Sequence, residues 1–577
     1  MTNHEVARRF ERIADILEIQ GENPFKIKAY RRAVETIDAL YEPLESIEAR
    51  GGLGEIPGFG EAIVAKTRDF LTTGTTKLYE QIKDAVPPGV VQMAAIPGVG
   101  PKTAKTLWET LGILSVEALE TAAQEARIRV VAGFGPAKEK NLLEAIARHR
   151  RLSERVPLYI ALPYAERMVR AFKARPEVTA AEVAGSLRRR RDTVGDLDLV
   201  VATRDAAATA EAVAALPGIT EITAQGGQEV VGFCDLGLRV DVRLGTPENF
   251  GALLHHFSSG REHNRQLREL AEAKGLKINE YGVFDTATGA ETFEGEDEGQ
   301  IYQALGLPFI VPELREGRDE IALAQRGALP RLIDEADFRG QLHEHTTYSD
   351  GTATIREMAE AAMARGYEYL AITDHSRSLQ VANGLTRERI LQQLDEIAAL
   401  NEEFRGRGFT LLTGQEVDIL ADGSLDGDED LLARLDIVVG SVHIRHKEDE
   451  AKMTARVVRA IENPHLDILG HPTGRLLGRR EPFEMDLEAV LETAARTGTI
   501  VEINASPERM DLHDGYARRA KEKGVKLTVN ADAHSAQGLA LLPWGLFMAR
   551  RAGLIPDDVI NTYDLQRLRA VLQKGHA

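Results

Sequence analysis

From residue 338 onward, the chain alternates short apolar runs with amphipathic stretches. Seven of the runs are strand-like and contain or end in metal-ligand residue types: GQLHEHTTYSDG, YLAITDH, FTLLTGQEVDIL, LDIVVGSVH, LDILGHP, GTIVEINAS and VKLTVNADAH. Helix-like stretches such as IREMAEAAMARG separate most of them. Because strand–helix alternation is typical of parallel sheets, we expect a parallel barrel whose strand ends meet at one face.

The polar residues at these strand ends predict a metal site. One histidine at a strand end is usually structural, but six histidines at successive strand ends exceed what packing requires. A set of this size also exceeds the coordination of one ion, so we expect two or three divalent ions: Mn²⁺, Zn²⁺ or Fe, with Mg²⁺ allowed by the carboxylates. Clustered metals activate water and stabilise the leaving oxygen of a phosphoester. The strand-end residues of ligand type are His343, His345, Asp350, Asp374, His375, Glu416, His443, His471, Glu502, Asn504, Asp532 and His534.

A second acidic pattern lies in GSLRRRRDTVGDLDLV (185–200). In an extended strand, Asp196 and Asp198 share a face while the leucines between and after them point to a core. The strand-like run LRVDVRL (238–244) places Asp241 on its polar face. Three aspartates on adjacent strands could hold two Mg²⁺ or Mn²⁺ ions about 3.5–4 Å apart, the geometry of nucleotidyl transfer. Gly185-Ser186 and the following four arginines could hold phosphate oxygens.

The N-terminal part contains repeated glycine turns that open helices. LGEIPGFGEAI (53–63) has Gly58 and Gly60, and AAIPGVGPKTAKTLWETLG (94–112) has Gly98, Gly100 and Lys102. Residues 130–146 form a looser third copy. Such turns let a helix N-terminus approach phosphate, so they predict DNA-backbone binding without sequence readout.

Composition sets the remaining bounds. A length of 577 residues predicts several domains. One cysteine, Cys234, argues against a disulfide framework and favours a reducing, cytoplasmic location. No apolar run approaches the roughly 18 residues that span a membrane. The net charge of −19 weighs weakly against nucleic acid, because local basic patches decide phosphate binding.

These motifs resemble a known combination over essentially the whole chain. HxHTxYSDG, TDH, GxE, SVH, GHP and DAH resemble the PHP (polymerase and histidinol phosphatase) domain. GS, DLD and RVDVRL resemble the palm of family X DNA polymerases, and LLHHFSSGREHNRQLRELA (253–271) resembles that family's nucleotide-binding turn and helix.

The resemblance implies a multidomain fold. It comprises helical N-terminal helix-hairpin-helix domains, an α+β nucleotidyltransferase palm and thumb, and a C-terminal distorted (β/α)7 PHP barrel. The expected domains are 1–85 (lyase-like, DNA-binding), 86–150 (fingers), 151–245 (palm), 246–315 (thumb), 316–337 (linker) and 338–577 (PHP phosphoesterase).

It also implies residue roles. Ser186 and Arg189 would bind the triphosphate, Phe257 and Gly260 would lie by the sugar, and Asn264 and Arg268 would contact the base and the template side. Lys66 would be the lyase nucleophile, with Lys26, Lys28 and Tyr30 near a 5′-phosphate. Ala62 departs from the pattern, as do His256 and the place of Gly260. One metal would take His343, His345, Glu416 and Asp532; a second Glu416, His443 and His471; a third Asp350, His375 and His534.

The implied activity is gap-filling DNA polymerisation in repair, joined to a 3′–5′ exonuclease or 3′-end-processing activity that could include cleavage at abasic sites. The expected partners are gapped or nicked duplex DNA and dNTPs, with no membrane and a monomeric chain. The alternatives are a DNA-docked PHP nuclease with an inactive polymerase site, a nucleotidyltransferase for small molecules or RNA, and a non-catalytic DNA-end scaffold.

Overall fold

The computed structural model describes residues 1, 3–38, 44–56, 58–94, 96, 98–131, 134–153, 155–293, 295 and 297–572. The chain divides into two compact units, Met1–Glu154 and Arg155–Ala577. Within the described residues, none of the helices combines the length and apolarity needed to cross a bilayer.

The first unit is helical throughout its described part. Its α-helices are α1 (Asn3–Gln20), α2 (Pro24–Asp38), α3 (Leu44–Ala49), α4 (Glu61–Thr73), α5 (Lys77–Ile82), α6 (Pro88–Ala94), α7 (Gly100–Leu111), α8 (Val116–Gln124) and α9 (Pro136–Ser153). Phe10 and Phe70 pack edge to face in one core, with ring centroids 5.2 Å apart. A second core forms around Leu107 and Leu119.

The two clear glycine turns are built as expected. Gly58 and Gly98 have φ values of 88° and 89°, a left-handed conformation that glycine adopts without steric cost. Gly60 precedes the first residue of α4, and Gly100 is the first residue of α7. The third copy includes Ala132 and Gly133, which lie outside the described residues.

The second unit begins with a five-stranded sheet that we call the palm. In spatial order it comprises β2 (Val178–Val183), β4 (Asp196–Thr203), β7 (Arg239–Gly245), β6 (Glu229–Cys234) and β5 (Ile219–Gln225). Strands β1 (Val156–Pro157) and β3 (Thr193–Val194) pair separately. The palm helices are α10 (Leu158–Lys173), α11 (Gly185–Arg188) and α12 (Ala206–Ala212). Leucines 197 and 199 of β4 are fully buried, as their alternation with the aspartates predicts.

A smaller α/β region, the thumb, follows the palm. It comprises α13 (Phe250–Ser258), α14 (Arg261–Glu272), β8 (Leu276–Asn279), β9 (Gly282–Asp285), β10 (Glu291–Phe293) and α15 (Glu298–Ala304). Residues 316–337, expected to be a linker without a core pattern, contain α16 (Glu320–Gln325). Ile321 and Ala324 of α16 are buried in the thumb core, and the Glu320 carboxylate pairs with buried His263 at 2.7 Å. The contacts that hold α16 come from residues far away in the sequence. The charged composition of 316–337 does not reveal them, and it therefore predicted a linker.

The remaining strands form the predicted parallel barrel, which is nearly closed. They are β11 (Gly340–Gln341), β12 (Tyr369–Ile372), β13 (Thr410–Asp418), β14 (Ile437–Ser441), β15 (Ile468–Leu469), β16 (Ile500–Asn504) and β17 (Leu527–Asn530), paired in chain order. Its helices are α17 (Ile355–Ala364), α18 (Arg387–Glu403), α19 (Glu429–Leu432), α20 (Glu450–Ile461), α21 (Leu487–Thr497), α22 (Asp514–Glu522), α23 (Leu542–Arg551) and α24 (Leu565–Leu572). A parallel bridge between Glu344 and Ala533 continues the pairing from the last strand back to the first.

Both faces of the barrel strands are buried, in two separate clusters. Alternate residues such as Tyr369 and Ala371 of β12 pack with Ile437 and Val439 of β14 in one cluster, which Ile560, Tyr563, Leu568 and Leu572 complete. The residues between them, such as Leu370 and Ile372, belong to the larger cluster shared with the surrounding helices. This arrangement leaves the ends of the strands to carry polar side chains.

Candidate active sites

The two acidic strands of the palm lie side by side. Strands β4 and β7 are parallel, and their register places Asp198 beside Asp241 and Asp196 beside Arg239. Asp196 is exposed, Asp198 is half-buried and Asp241 is buried. Since paired residues and residues two apart share a face, the structure brings the three predicted carboxylates to one face of the sheet.

The negative charges of this face are only partly balanced. Burial, together with the charges of Asp196 and Asp241, raises the pKa of Asp198 to about 7. Oδ2 of Asp241 accepts hydrogen bonds from Nη2 of Arg239 and of Arg243, each at 3.1 Å. Among the described residues, groups of three or more ligand atoms within 4.8 Å of one another lie in the barrel, and the palm carboxylates do not form such a group.

The loop before β4 approaches the aspartates closely. Gly185 has a φ of 57°, and a Cβ at this position would lie 1.8 Å from Oδ2 of Asp198, so glycine is required. Arg189 is 9% exposed; its Nη1 donates to the Ser258 carbonyl at 2.9 Å, and its Nε donates to Glu316 at 3.1 Å. The predicted triphosphate arginine therefore sits between the palm and the thumb.

The predicted nucleotide-binding turn lies against the same strands. The guanidinium of Arg243 stacks 4.7 Å from the ring centroid of Phe257, which places Phe257 near Asp241. Gly260 caps α14, and its N–H donates to the Arg315 carbonyl at 2.8 Å. Nδ2 of Asn264 donates to the His256 carbonyl at 2.8 Å. Arg268 is exposed on α14.

One ion-pair network at this junction was not foreseen. Arg188 donates from Nη1 and Nη2 to the two carboxylate oxygens of Glu298, each at 2.6 Å, and Glu298 also pairs with fully buried Arg315 at 2.6 Å. The network joins the palm loop to the thumb. Because 110 residues separate Arg188 from Glu298, no local pattern indicates the pair.

The barrel cluster is organised around Glu416, which is 1% exposed. Its carboxylate lies 2.8 Å from Nδ1 of His375, 3.1 Å from Nε2 of His471, 3.3 Å from Nε2 of His343 and 3.4 Å from Nε2 of His443. Burial alone would raise the pKa of Glu416, but the charges of His443, His343 and His375 hold it well below its usual range.

The other two acids of the cluster lie among the remaining histidines. Asp532 is 3.1 Å from Nε2 of His345, and Asp350 is 3.5 Å from Nε2 of His375 and 3.4 Å from Nε2 of His534. Burial lowers the pKa of His375, but the charges of Glu416 and Asp350 outweigh it and raise that pKa to about 10. The site therefore favours bound positive charge.

Three groups of these side chains have ligand atoms close enough to share an ion. They are His345, Asp350, His375 and His534; His343, His345 and Asp532; and His375, Glu416 and His443. All nine predicted ligands are thus in one cluster, although His345 and His375 each belong to two groups and His471 reaches the cluster through Glu416. Five ring nitrogens make no well-formed hydrogen bond within the described part: Nε2 of His343, both of His345, and Nδ1 of His375 and of His471. These ring nitrogens and the neighbouring carboxylates are ligand types that fit divalent metals.

Two acids outside the nine ligands that the resemblance implies orient the histidines of that set. Glu502 accepts from Nδ1 of His343 at 2.8 Å, and Asp418 accepts from Nδ1 of His443 at 2.6 Å. Such partners fix the ring orientation of a ligand histidine. Asp418 was detectable in the sequence, because it lies two residues after Glu416 in a strand and shares its face.

The candidate residues of the first unit are placed as follows. Nζ of Lys66 lies 5.9 Å from the ring centroid of Tyr30, which is buried, whereas Lys26 and Lys102 are exposed. Burial, reinforced by the charge of Lys26, lowers the pKa of Lys66.

Known protein families match most parts of the chain. Residues 1–76 match a helix-hairpin-helix domain, 91–148 a SAM-like helix-hairpin-helix tandem, 253–316 the DNA polymerase beta thumb and 341–506 the PHP domain. The DNA polymerase/3′-5′ exonuclease PolX of Bacillus subtilis (strain 168) is 38% identical over 578 residues, covering 100% of both chains. The chain belongs to the family X DNA polymerases that carry a PHP domain.

Relatives that match only part of the chain also occur. A probable phosphatase of Thermoanaerobacter sp. (strain X514) is 32% identical over 243 residues, which is 40% of this chain and 93% of that protein. One from Syntrophotalea carbinolica is 29% identical over 232 residues, or 38% of this chain and 90% of that protein. The family matches and the strand order confirm the predicted fold class, while the domain borders and residue roles stay predictions.

Asp198→Asn should stabilise the metal-free protein above pH 7. The folded-state pKa of Asp198 is raised to about 7 from 3.8, so ionisation of this carboxyl destabilises the folded state. The loss of stability develops as the pH rises from about 4 to 7 and is complete above pH 7. The gain should be about 1–3 kcal/mol at pH 8 and small near pH 3.5, where the carboxyl is protonated in the folded state and mostly protonated in the unfolded state. Thermal unfolding in chelator at both pH values measures it. The control is Asp395→Asn, because Asp395 is exposed. An equal or lower melting temperature for Asp198→Asn at pH 8 contradicts the prediction.

Proposed function

We propose that the chain extends a primer end in gapped or nicked duplex DNA and removes nucleotides from 3′ ends in a second site. The carrying observation is the full-length similarity to a DNA polymerase/3′-5′ exonuclease, together with both carboxylate constellations in one chain. Polymerisation would take place at the palm, and phosphodiester hydrolysis at the barrel cluster.

In the palm, Asp196, Asp198 and Asp241 would hold two Mg²⁺ or Mn²⁺ ions. The raised pKa of Asp198 and the shared face of the three carboxylates fit this assignment. When bound, such ions promote ionisation of the primer 3′-hydroxyl and neutralise the triphosphate. Asp241 would have to exchange Arg239 and Arg243 for this partner.

The residues of the chain would then position the nucleotide. Ser186 and Arg189 would hold the triphosphate, with Phe257 and Gly260 beside the sugar. Asn264 would hydrogen-bond the base edge, and Arg268 would contact the template side. The 3′-oxygen attacks the α-phosphorus, its bond to phosphorus forms, and the bond to pyrophosphate breaks.

The helix-hairpin-helix turns of the first unit would grip the DNA backbone. Gly58, Gly60, Gly98 and Gly100 allow close approach of helix N-termini to phosphates, and exposed Lys102 adds positive charge. Lys26 and Tyr30 would contact a 5′-phosphate.

Lys66 is a candidate for a further, lyase activity. Its lowered pKa favours the free amine that forms a Schiff base with an aldehyde. Borohydride trapping on abasic DNA tests this role, because Lys66→Ala should abolish a covalent adduct that wild type forms.

In the barrel, the nine clustered side chains would hold two or three Mn²⁺, Zn²⁺ or Fe ions. Bound ions activate water for attack on a phosphodiester. Glu416 would be shared between ions, and Glu502 and Asp418 would keep His343 and His443 oriented.

Arg509 is the residue we propose for holding the scissile phosphate. Its Nη1 is buried and has no hydrogen-bond partner among the described residues, and burial together with the charge of Arg509 lowers the pKa of His471. A guanidinium near the ligands suits a phosphate oxygen.

Arg509→Gln should lower exonuclease kcat/KM by about 10- to 100-fold, the effect of losing a charge-assisted hydrogen bond of about 1.5–3 kcal/mol. Primer extension should stay unchanged. Partly exposed Arg479→Gln, whose side chain pairs with Glu508 near the same loop, is the matched control. Equal exonuclease kcat/KM values for the two variants would show that Arg509 does not hold the scissile phosphate.

Primer extension on a one-nucleotide-gapped duplex tests the proposed function. Wild type should extend the labelled primer with dNTPs and Mg²⁺ or Mn²⁺. Asp198→Ala should only shorten the primer, and His343→Ala should only extend it, since each variant removes a ligand from one site. If the primer shortens but no protein or condition extends it, the chain acts as a DNA-docked PHP nuclease.

A further inference from the structure

The polymerase loop is held by the hydrolytic barrel as well as by the palm. We call residues 185–192, between β2 and β3, the nucleotide loop. Within it, Arg190 has a φ of 57°, a left-handed conformation that costs a non-glycine residue free energy. Such a conformation persists where surrounding contacts impose it.

One of these contacts comes from Arg551, at the end of α23 of the barrel. This side chain is 2% exposed. Its Nη1 donates to the main-chain carbonyl of Arg189 at 2.6 Å and to Glu316 at 3.0 Å, and its Nη2 donates to Asp514 at 3.0 Å. The Glu316 oxygen that accepts from Arg551 also accepts from Nε of Arg189 at 3.1 Å. Both the backbone and the side chain of Arg189 are therefore tied to one barrel arginine.

Two more barrel residues hold the same loop. Nη1 of Arg475 donates to Oδ2 of Asp192 at 2.7 Å, and the guanidinium of Arg190 lies 5.0 Å from the ring centroid of Phe547. Arg475 is itself anchored to the Arg509 and Met510 carbonyls. Three residues of the loop, Arg189, Arg190 and Asp192, thus make contacts that the palm does not supply.

We propose that Arg551 is a positioning residue for nucleotide binding, so that the PHP barrel forms part of the polymerase site. The proposal rests on the proposed function of the palm. When Arg189 turns from Glu316 to a triphosphate, Arg551 keeps the mostly buried Glu316 carboxylate paired. Because an unpaired buried charge is costly, this exchange partner lowers the cost of nucleotide binding. Its bond to the Arg189 carbonyl also fixes the loop beforehand.

The test compares Arg551→Lys with Arg550→Lys in the full-length protein. Arg550 precedes Arg551 on the same helix. Within the described part of the chain, its hydrogen bonds go to Glu313 and the Ile333 carbonyl and not to the nucleotide loop. Lysine keeps the charge, but its donors all sit on one nitrogen and cannot reproduce the planar fork in which Nη1 and Nη2 of Arg551 reach separate acceptors. Equilibrium dNTP binding to a dideoxy-terminated gapped complex with Mg²⁺, and KM and kcat for extension, are measured for both.

Arg551→Lys should raise the dNTP Kd and KM about tenfold, equivalent to one charge-assisted hydrogen bond, with kcat within about twofold. Arg550→Lys should change each value less than about twofold. Asp192→Asn, which weakens the Arg475 contact, should raise Kd about threefold and decides the matter if Arg551→Lys does not fold. Unchanged affinity in the folded loop variants, or an equal effect in Arg550→Lys, overturns the proposal. A wild type that neither binds dNTP nor extends the primer overturns the proposed function and this inference together, whereas normal wild-type extension with unchanged loop variants overturns this inference alone.

Discussion

The cluster of ligands at the strand ends of the barrel depends on the contacts between the Glu416 carboxylate and the histidines around it. This carboxylate is buried among four histidines within 3.4 Å, and those histidines come from four different strand ends. Buried carboxylate and imidazole groups at such spacing demand either protons or metal ions. The palm poses the same problem in a more open form, because Asp196, Asp198 and Asp241 share one face of the sheet. Each site is thus a concentration of ligand charge that a cation would stabilise.

The structure connects the two sites through a single compact unit. Two barrel arginines contact the nucleotide loop: Arg551 binds the Arg189 carbonyl and Arg475 binds Asp192. Arg475 also donates to the Arg509 carbonyl. The loop that would bind a triphosphate is therefore built from both regions. Its shape is linked to the packing of α23 against the thumb and palm, which separate copies of the two domains would lack.

Much of this arrangement follows from local patterns. Period-two alternation in DLDLV and RVDVRL indicates two strands with leucines and valines on one face and acids on the other. The leucines and valines of β4 and β7 are buried as this alternation predicts, but Asp241 is buried as well. The seven polar strand ends likewise predicted one cluster, since parallel strands place their carboxyl ends together.

Long-range contacts account for what the patterns did not predict. Arg188 pairs with Glu298 across 110 residues, and Arg551 meets Arg189 across 362, so neither has a local signal. The segment that forms α16 was predicted to be a linker because Glu320 reads as an exposed charge. In the structure, Glu320 is buried and pairs with His263, 57 residues away. His345 and His375 each belong to two of the three possible metal-binding groups. This sharing depends on distances between side chains in space, which spacing along the sequence does not encode.

The central claim is that one chain both adds and removes nucleotides. The most direct measurement follows α-labelled dNTP turnover by the wild-type protein on a one-nucleotide-gapped duplex, with Mg²⁺ and Mn²⁺ present. Labelled deoxynucleoside monophosphate should accumulate only when DNA is added, because its formation requires incorporation followed by excision. Label that stays in the primer, or primer loss without any labelled monophosphate, would contradict the account.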